Sequence, residues 1–273
     1  MEYRQVKIRD IFVGKGRPIA LIAGPCVIES ARSAMDHART IKEITASLGM
    51  PFIFKASYDK ANRSSINSFR GPGLAEGLNI LRDIRDTLGV PVLSDVHKES
   101  QVEAAADVLD ILQIPAFLCR QTDLLVRAAA SGKPVNVKKG QFMSPEEMNN
   151  VIAKLESAGS RAIMLTERGT AFGYNMLVND FRSIVIMGRT GYPVVYDATH
   201  SVQKPGSEGA SSGGDAEYAL PLSKAAVACG ADALFLEVHE NPDRALSDGR
   251  NMLKLSELED FIRQIRRVEK GVR

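Results

Sequence analysis

Residues 74–95, LAEGLNILRDIRDTLGVPVLSD, place a helix directly before a strand. Leu74, Leu78, Leu81, Ile84 and Leu88 recur at three- and four-residue spacing, which puts their side chains on one helix face. Pro91 to Asp95 then forms a short apolar run that ends in a carboxylate. The same alternation recurs on both sides of this stretch. Strands are expected at Ile19 to Ala23, Phe52 to Lys55, Pro91 to Asp95, Ile111 to Ile114, Val135 to Lys138, Ala162 to Thr166, Val194 to Asp197 and Ala233 to Val238. Further helices are expected at Ala34 to Leu48, Glu146 to Ala158, Ala216 to Cys229 and Leu255 to Val268. The strands are nearly continuous apolar runs, as parallel strands buried on both faces are. Eight alternations within 273 residues are what a closed (β/α)8 barrel requires, so residues 1–273 are expected to form a single barrel domain. Before the first strand, Val6, Ile8, Ile11 and Val13 alternate with polar residues, which predicts a short hairpin across the barrel bottom.

Composition narrows the class of function. With 44% apolar and 25% charged residues the chain is an ordinary globular protein, not a fibrous or disordered one. Lysine and arginine number 35 against 33 acidic residues, so no global field favours nucleic acid or an anionic membrane, and any anion binding must be local. Three scattered cysteines, Cys26, Cys119 and Cys229, fit reduced thiols rather than a disulfide framework. No apolar signal core or window of membrane-spanning length is present, and the expectation is a cytoplasmic protein.

Barrel enzymes carry their chemistry at the C-terminal ends of the strands. Six cations would converge there: Lys55, Lys60, Arg63, Arg120, Lys138 and Arg168. Any one of them alone would be an ordinary surface residue. Gathered at one mouth of a nearly neutral protein, they need an anionic ligand to offset their repulsion, and the mixture of arginine and lysine suits phosphate and carboxylate groups. Asp95, His97, Asp197, His200 and Glu237 end strands or follow them closely, as candidates for proton transfer or for orienting other groups.

Cys26, His200, Glu237 and Asp248 fall at or beyond the first, seventh and eighth strands, which become neighbours when a barrel closes. Thiolate, imidazole and carboxylate together suit Zn2+, Fe2+ or Mn2+. The alternative for Cys26 is a small buried hydrophobe, and for His200 a satisfied loop histidine. Cys119 and Cys229 take the packing role, and His37, in the middle of a polar helix segment, reads as a surface residue. Pro205 to Gly214 is expected to be a mobile active-site loop, and the stretches 202–214 and 241–251 to act as lids.

Several strings resemble the 3-deoxy-D-manno-octulosonate 8-phosphate synthases over nearly the whole chain. They are Ala23-Gly24-Pro25-Cys26, the run from Phe54 through Lys55, Lys60, Asn62 and Arg63 to Ser65, Gln113 through Arg120 to Asp123, Asn136 through Lys138 to Phe142, Glu167-Arg168-Gly169, and Asp197 through His200 to Gln203. The resemblance implies a (β/α)8 enzyme that condenses phosphoenolpyruvate with D-arabinose 5-phosphate and water for the inner core of lipopolysaccharide. The related 3-deoxy-D-arabino-heptulosonate 7-phosphate synthases carry Lys-Pro-Arg-Thr where this chain has Lys60-Ala61-Asn62-Arg63-Ser64, which favours the five-carbon sugar. By resemblance, Lys60, Lys138 and Arg168 hold phosphoenolpyruvate with Lys55 and Gln113 alongside, and Asn62, Arg63 and Ser64 bind the sugar phosphate. Arg120 reaches the active site of a neighbouring subunit, within a homotetramer. His200, Asp95, Lys60 and Lys138 are the catalytic candidates, with His200 also a substrate contact. Cysteine at position 26, where metal-independent members have asparagine, implies the branch that binds a divalent metal ion through Cys26, His200, Glu237 and Asp248. A sugar-phosphate sensor built on the same barrel is the rival from another class.

Overall fold

The computed structural model describes residues 3–63, 65–208 and 211–272. The chain opens with an antiparallel hairpin, β1 (Val6–Ile8) and β2 (Ile11–Val13), in which Val6 lies opposite Val13. Then follow β3 (Ala20–Gly24), α1 (Ala31–Ser47), β4 (Phe52–Lys55), α2 (Leu74–Leu88), β5 (Val92–Asp95), α3 (Glu99–Val108) and β6 (Ile111–Ile114). The order continues with α4 (Thr122–Ala130), β7 (Val135–Lys138), α5 (Met148–Ser157), β8 (Ile163–Glu167), a small hairpin of β9 (Thr170–Ala171) and β10 (Leu177–Val178), and α6 (Arg182–Gly188). Last come β11 (Val194–Asp197), β12 (Gln203–Glu208), β13 (Ser211–Gly214), α7 (Ala219–Ala228), β14 (Ala233–His239), β15 (Leu253–Lys254) and α8 (Leu258–Val272). Strands β3 to β8, β11 and β14 pair in parallel in that order, and β14 pairs back with β3, which closes the expected (β/α)8 barrel.

Successive side chains of a strand point to opposite faces. Leu21, Phe54, Val92, Leu112, Val137 and Leu165 therefore face outward and pack under the helices. Their alternates Ala20, Ile22, Ile53, Leu93, Ile111, Met164, Val195, Ala233 and Phe235 form a separate buried cluster inside the barrel. Val6, Ile8 and Val13 of the hairpin belong to that inner cluster, so the hairpin plugs the barrel bottom as its alternation predicts. Two residues further along the strands the inward positions turn polar. Lys55, Asp95, Gln113, Thr166, Asp197 and Glu237 all follow an inner apolar residue by two, and Asn136 and Lys138 of β7 join them. The interior is thus apolar below and charged above.

One reading of the sequence is corrected. His37 is buried, because it shares the core-facing stripe of α1 with Ala34, Ala38, Ile41 and Thr45. Its Nδ1 lies 2.7 Å from the Ser33 carbonyl oxygen and its Nε2 accepts from the Glu240 amide at 3.2 Å, a pattern that burial and the neutral imidazole satisfy together. Within the expected active-site loop from Pro205 to Gly214, the described residues form an antiparallel ribbon of β12 and β13, with Gln203 opposite Gly214 and Glu208 opposite Ser211. Glycine and serine there lack the apolar alternation that marks a strand. Helices α3, α4 and α6, at most ten residues each, complete the barrel without standing out in the sequence. No helix among the described residues is long and apolar enough to cross a membrane.

The plug carries a measurable load. Ile8→Ala is expected to lower unfolding free energy by about 2–5 kcal/mol in denaturant titration, against about 0.5 kcal/mol or less for the neighbouring exposed Lys7→Ala. Equal effects would mean that the hairpin does not seal the inner core.

Candidate active site

The polar upper layer opens into a cavity of about 180 Å³ at the C-terminal mouth of the barrel. Lys55, Lys60, Arg63, Lys138 and Arg168 all line it, with Asn62, Asp95, His97, His200, Glu237 and Asp248. Five of the six expected cations therefore converge. Arg120 does not: it is exposed, follows the short turn after β6, and lies outside the lining. Gln113 is also absent from the lining, since it is fully buried beneath the cavity floor, where it donates to Asp95. Ser64 lies outside the described residues.

Two lysines are buried inside the barrel, and each has a carboxylate. Lys55 Nζ is 2.9 Å from Glu237 Oε1 and 2.9 Å from the Cys26 carbonyl oxygen. Lys138 Nζ is 2.6 Å from Asp197 Oδ2 and stands 3.7 Å above the centre of the Phe235 ring, the top of the apolar layer. Burial lowers the pKa of Lys138, with Asp197 and Asp95 opposing the shift. For the carboxylates burial acts in the other direction and is outweighed: Lys55, Lys138 and Lys60 hold Asp95 below the usual range, and Lys55, His200 and Lys60 hold Glu237 there. His200 and Lys138 do the same for Asp197.

The arginines are less committed. Arg168 donates to Gln203 Oε1 at 3.3 Å, but its Nη1 is buried without a partner. Arg63 donates to Ser247 Oγ at 2.7 Å and lies 3.7 Å from Asp248, and its Nε is also buried and unpartnered. Buried donors of this kind are costly unless something accepts from them. An anion with several oxygens entering the cavity would meet both.

Cys26, Glu237 and Asp248 bring one ligand atom each within 4.8 Å of one another. Glycine makes this approach possible at two points. A Cβ on Gly24 would lie 2.0 Å from the Lys55 carbonyl oxygen, and one on Gly249 would lie 2.1 Å from the Pro242 carbonyl oxygen. Asp248, just before Gly249, adopts a left-handed backbone with φ 50°, a conformation uncommon outside glycine and concentrated at functional sites. His200, the fourth expected ligand, is not one of that group and stands beside Glu237. Its Nδ1 is 2.9 Å from Asp197 Oδ2, while its Nε2 lies 3.7 Å from Glu237 Oε1. The Asp197 carboxylate thus fixes a tautomer whose Nε2 lone pair is free for a ligand. Burial pushes the Cys26 thiol well up, with Glu237 adding to the effect, and its Sγ lies 3.2 Å from Asp248 Oδ2. Glu237 Oε2 is buried with no partner. A thiol, two carboxylates with an orphaned oxygen, and an oriented imidazole fit a divalent ion by donor chemistry.

Ser57 and Ser247, which the sequence reading leaves without a role, hold these groups in place: Ser57 donates to Asp95 Oδ2 at 2.5 Å, and Ser247 lies 3.1 Å from Cys26 Sγ. Neither has a signal of its own beyond its place in a charged string. Phe117 also lines the cavity and is exposed, from the turn that bears Arg120.

The chain resembles known proteins over nearly its whole length. The profile of the DAHP synthetase I family matches residues 3–272. A protein named 2-dehydro-3-deoxyphosphooctonate aldolase from Geobacter sp. (strain M21) is 56% identical over 266 residues, covering 97% of each chain. Proteins of the same name from Trichlorobacter lovleyi and Desulfotalea psychrophila are 56% identical over 270 residues and 57% identical over 263 residues. These cover 99% of each chain in the first case, and 96% of this chain and 94% of the relative in the second. The chain belongs to the DAHP synthetase I family.

Proposed function

We propose that this chain condenses phosphoenolpyruvate with D-arabinose 5-phosphate and water, giving 3-deoxy-D-manno-octulosonate 8-phosphate and inorganic phosphate for the lipopolysaccharide inner core. The observation that carries the reading is the set of five cations at one mouth, two of them arginines with unpartnered buried donors. Two anionic substrates must be brought into bonding contact, which needs dense positive charge in a site that excludes water. The names of the full-length relatives specify the eight-carbon product.

Lys60, Lys138 and Arg168 hold the phosphate and carboxylate of phosphoenolpyruvate, with Lys55 beside them. Asn62 and Arg63, and Ser64 by its place in the sequence, take the sugar and its phosphate. Carbon 3 of the enol attacks the sugar aldehyde, carbon 2 gains oxocarbenium character, and water adds there. The hemiketal phosphate then expels phosphate with C–O cleavage. Asp95 stays ionised and accepts hydrogen bonds or stabilises positive charge, while His200 presents Nε2 to the cavity. Holding both substrates in line is chiefly a proximity and electrostatic contribution. Cys26, His200, Glu237 and Asp248 are the residues that would hold a divalent ion, Zn2+, Fe2+ or Mn2+. Such an ion supplies a Lewis acid that polarises an oxygen of the aldehyde or of water. Arg120 points to an assembly: exposed in one chain, it serves the sugar phosphate of a neighbouring site in a homotetramer.

Phosphate release in the presence of phosphoenolpyruvate is expected to be far faster with arabinose 5-phosphate than with erythrose 4-phosphate, and the opposite preference contradicts the reading. Arg168→Ala should lower kcat/KM about a hundredfold or more, while the exposed Arg182→Ala leaves it unchanged. Elemental analysis should find about one divalent ion per chain in the purified protein and much less in Cys26→Ala. Equal metal content in the two proteins removes Cys26 from the ligand set. For Arg120→Ala, sedimentation should still report four chains, with KM raised for the sugar phosphate alone. A rise in KM for phosphoenolpyruvate instead would contradict its assignment.

A further inference from the structure

A line of hydrogen bonds runs under the floor of the site and ends on Asp95. Thr166 Oγ1 donates to Asn136 Oδ1 at 2.7 Å. Asn136 Nδ2 donates to Gln113 Oε1 at 2.9 Å, and Gln113 Nε2 donates to Asp95 Oδ1 at 2.6 Å. Thr166, Asn136 and Gln113 are fully buried, and none lines the cavity. Strand register builds the line, since Asp95 stands level with Gln113 across β5 and β6, and Gln113 with Asn136 across β6 and β7.

The line has one permitted direction. An ionised carboxylate only accepts, so Gln113 must present its NH2 to Asp95. Its carbonyl oxygen then faces Asn136, which must in turn offer NH2 and leave its own oxygen toward Thr166. Only a donor can satisfy that oxygen, and the Thr166 hydroxyl is that donor. Without it the Asn136 oxygen is left buried with no donor, and Asn136 loses the contact that holds it against Gln113. The charged groups acting on Asp95 from elsewhere are Lys55, Lys60 and Lys138 with His97, and Ser57 donates to its other oxygen. None of these selects the orientation of an amide on the far side of β6.

We propose that Thr166 and Asn136 are positioning residues for this reaction, fixing the Gln113 amide so that Asp95 faces the substrates as an oriented acceptor. The proposal rests on the reading of Asp95 as a group of the active site. A donor two residues removed from the chemistry acts through its neighbour, as supporting groups do around other reactive carboxylates and imidazoles.

Thr166→Val keeps the shape and removes the hydroxyl. It should lower kcat about tenfold or more with both KM values within about twofold, and Thr166→Ser should restore most of the loss. The deciding measurement is the same substitution in an Asp95→Asn background. There the loss should vanish, because the carboxylate that the line orients is gone. An equal loss in both backgrounds, or no rescue by serine, overturns the proposal in favour of a packing role. Asn136→Ala, read in the same cycle, serves if Thr166→Val does not fold. The cycle is also run on unfolding free energy, which needs no turnover. A wild-type protein inactive on phosphoenolpyruvate and arabinose 5-phosphate contradicts the proposed function, and the stability cycle then decides the line separately: coupling of Thr166 to Asp95 supports it and additivity overturns it.

Discussion

Two ammonium groups, on Lys55 and Lys138, stand inside a barrel whose walls are apolar, and the mouth is arranged around compensating them. A buried lone charge is so unfavourable that it is neutralised or paired. Glu237 pairs with Lys55 and Asp197 with Lys138, and Asp197 is then engaged a second time by His200. The imidazole owes its tautomer to Asp197, so the group facing the candidate metal ligands is set by the ion pair that holds a substrate-binding lysine. Replacing either pair with apolar side chains could leave the barrel as stable or more so. Their presence is therefore an argument about ligand chemistry, since a preorganised cluster of charge out of water is what two anionic substrates require.

The layering inside the barrel makes this possible. Because side chains alternate with a period of two, every barrel strand but β3, which ends in Gly24, supplies a polar side chain above the apolar core, at 3.2–3.4 Å per residue toward the mouth. Phe235 marks the boundary, with Lys138 on its face above and the apolar cluster below. The hairpin packs Val6, Ile8 and Val13 into the opposite end, so the inner core is apolar there.

Much of this was legible in the sequence because strands buried on both faces leave continuous apolar runs, and because a barrel strand ends at its functional residue. Lys55, Asp95, Lys138 and Asp197 each end a strand, and Glu237 lies two residues from the end of its own. The pairings were not legible. Lys138 and Asp197 are 59 residues apart, and β8 lies between their strands. Arg120 could not be placed by its position after β6: Ala116 and Phe117 of the short turn that follows line the mouth, and Arg120 does not. The burial of His37 was available in principle: it falls on the 34, 38, 41 stripe of its helix, but Asp36 and Arg39 on either side suggest solvent. The ribbon of Gln203–Glu208 and Ser211–Gly214 carried no signal, since small and polar residues can pair by backbone alone.

The central claim is that the paired cations of this mouth exist to receive the phosphate and carboxylate of one small anion. A crystal structure of the protein with phosphoenolpyruvate tests it most directly. The ligand is expected at the barrel mouth, with its phosphate and carboxylate oxygens within hydrogen-bond distance of Lys138, Arg168 and Lys60, and with the buried Nη1 of Arg168 partnered. Phosphoenolpyruvate bound elsewhere, or at the mouth with these three side chains still turned to their present partners, would contradict it.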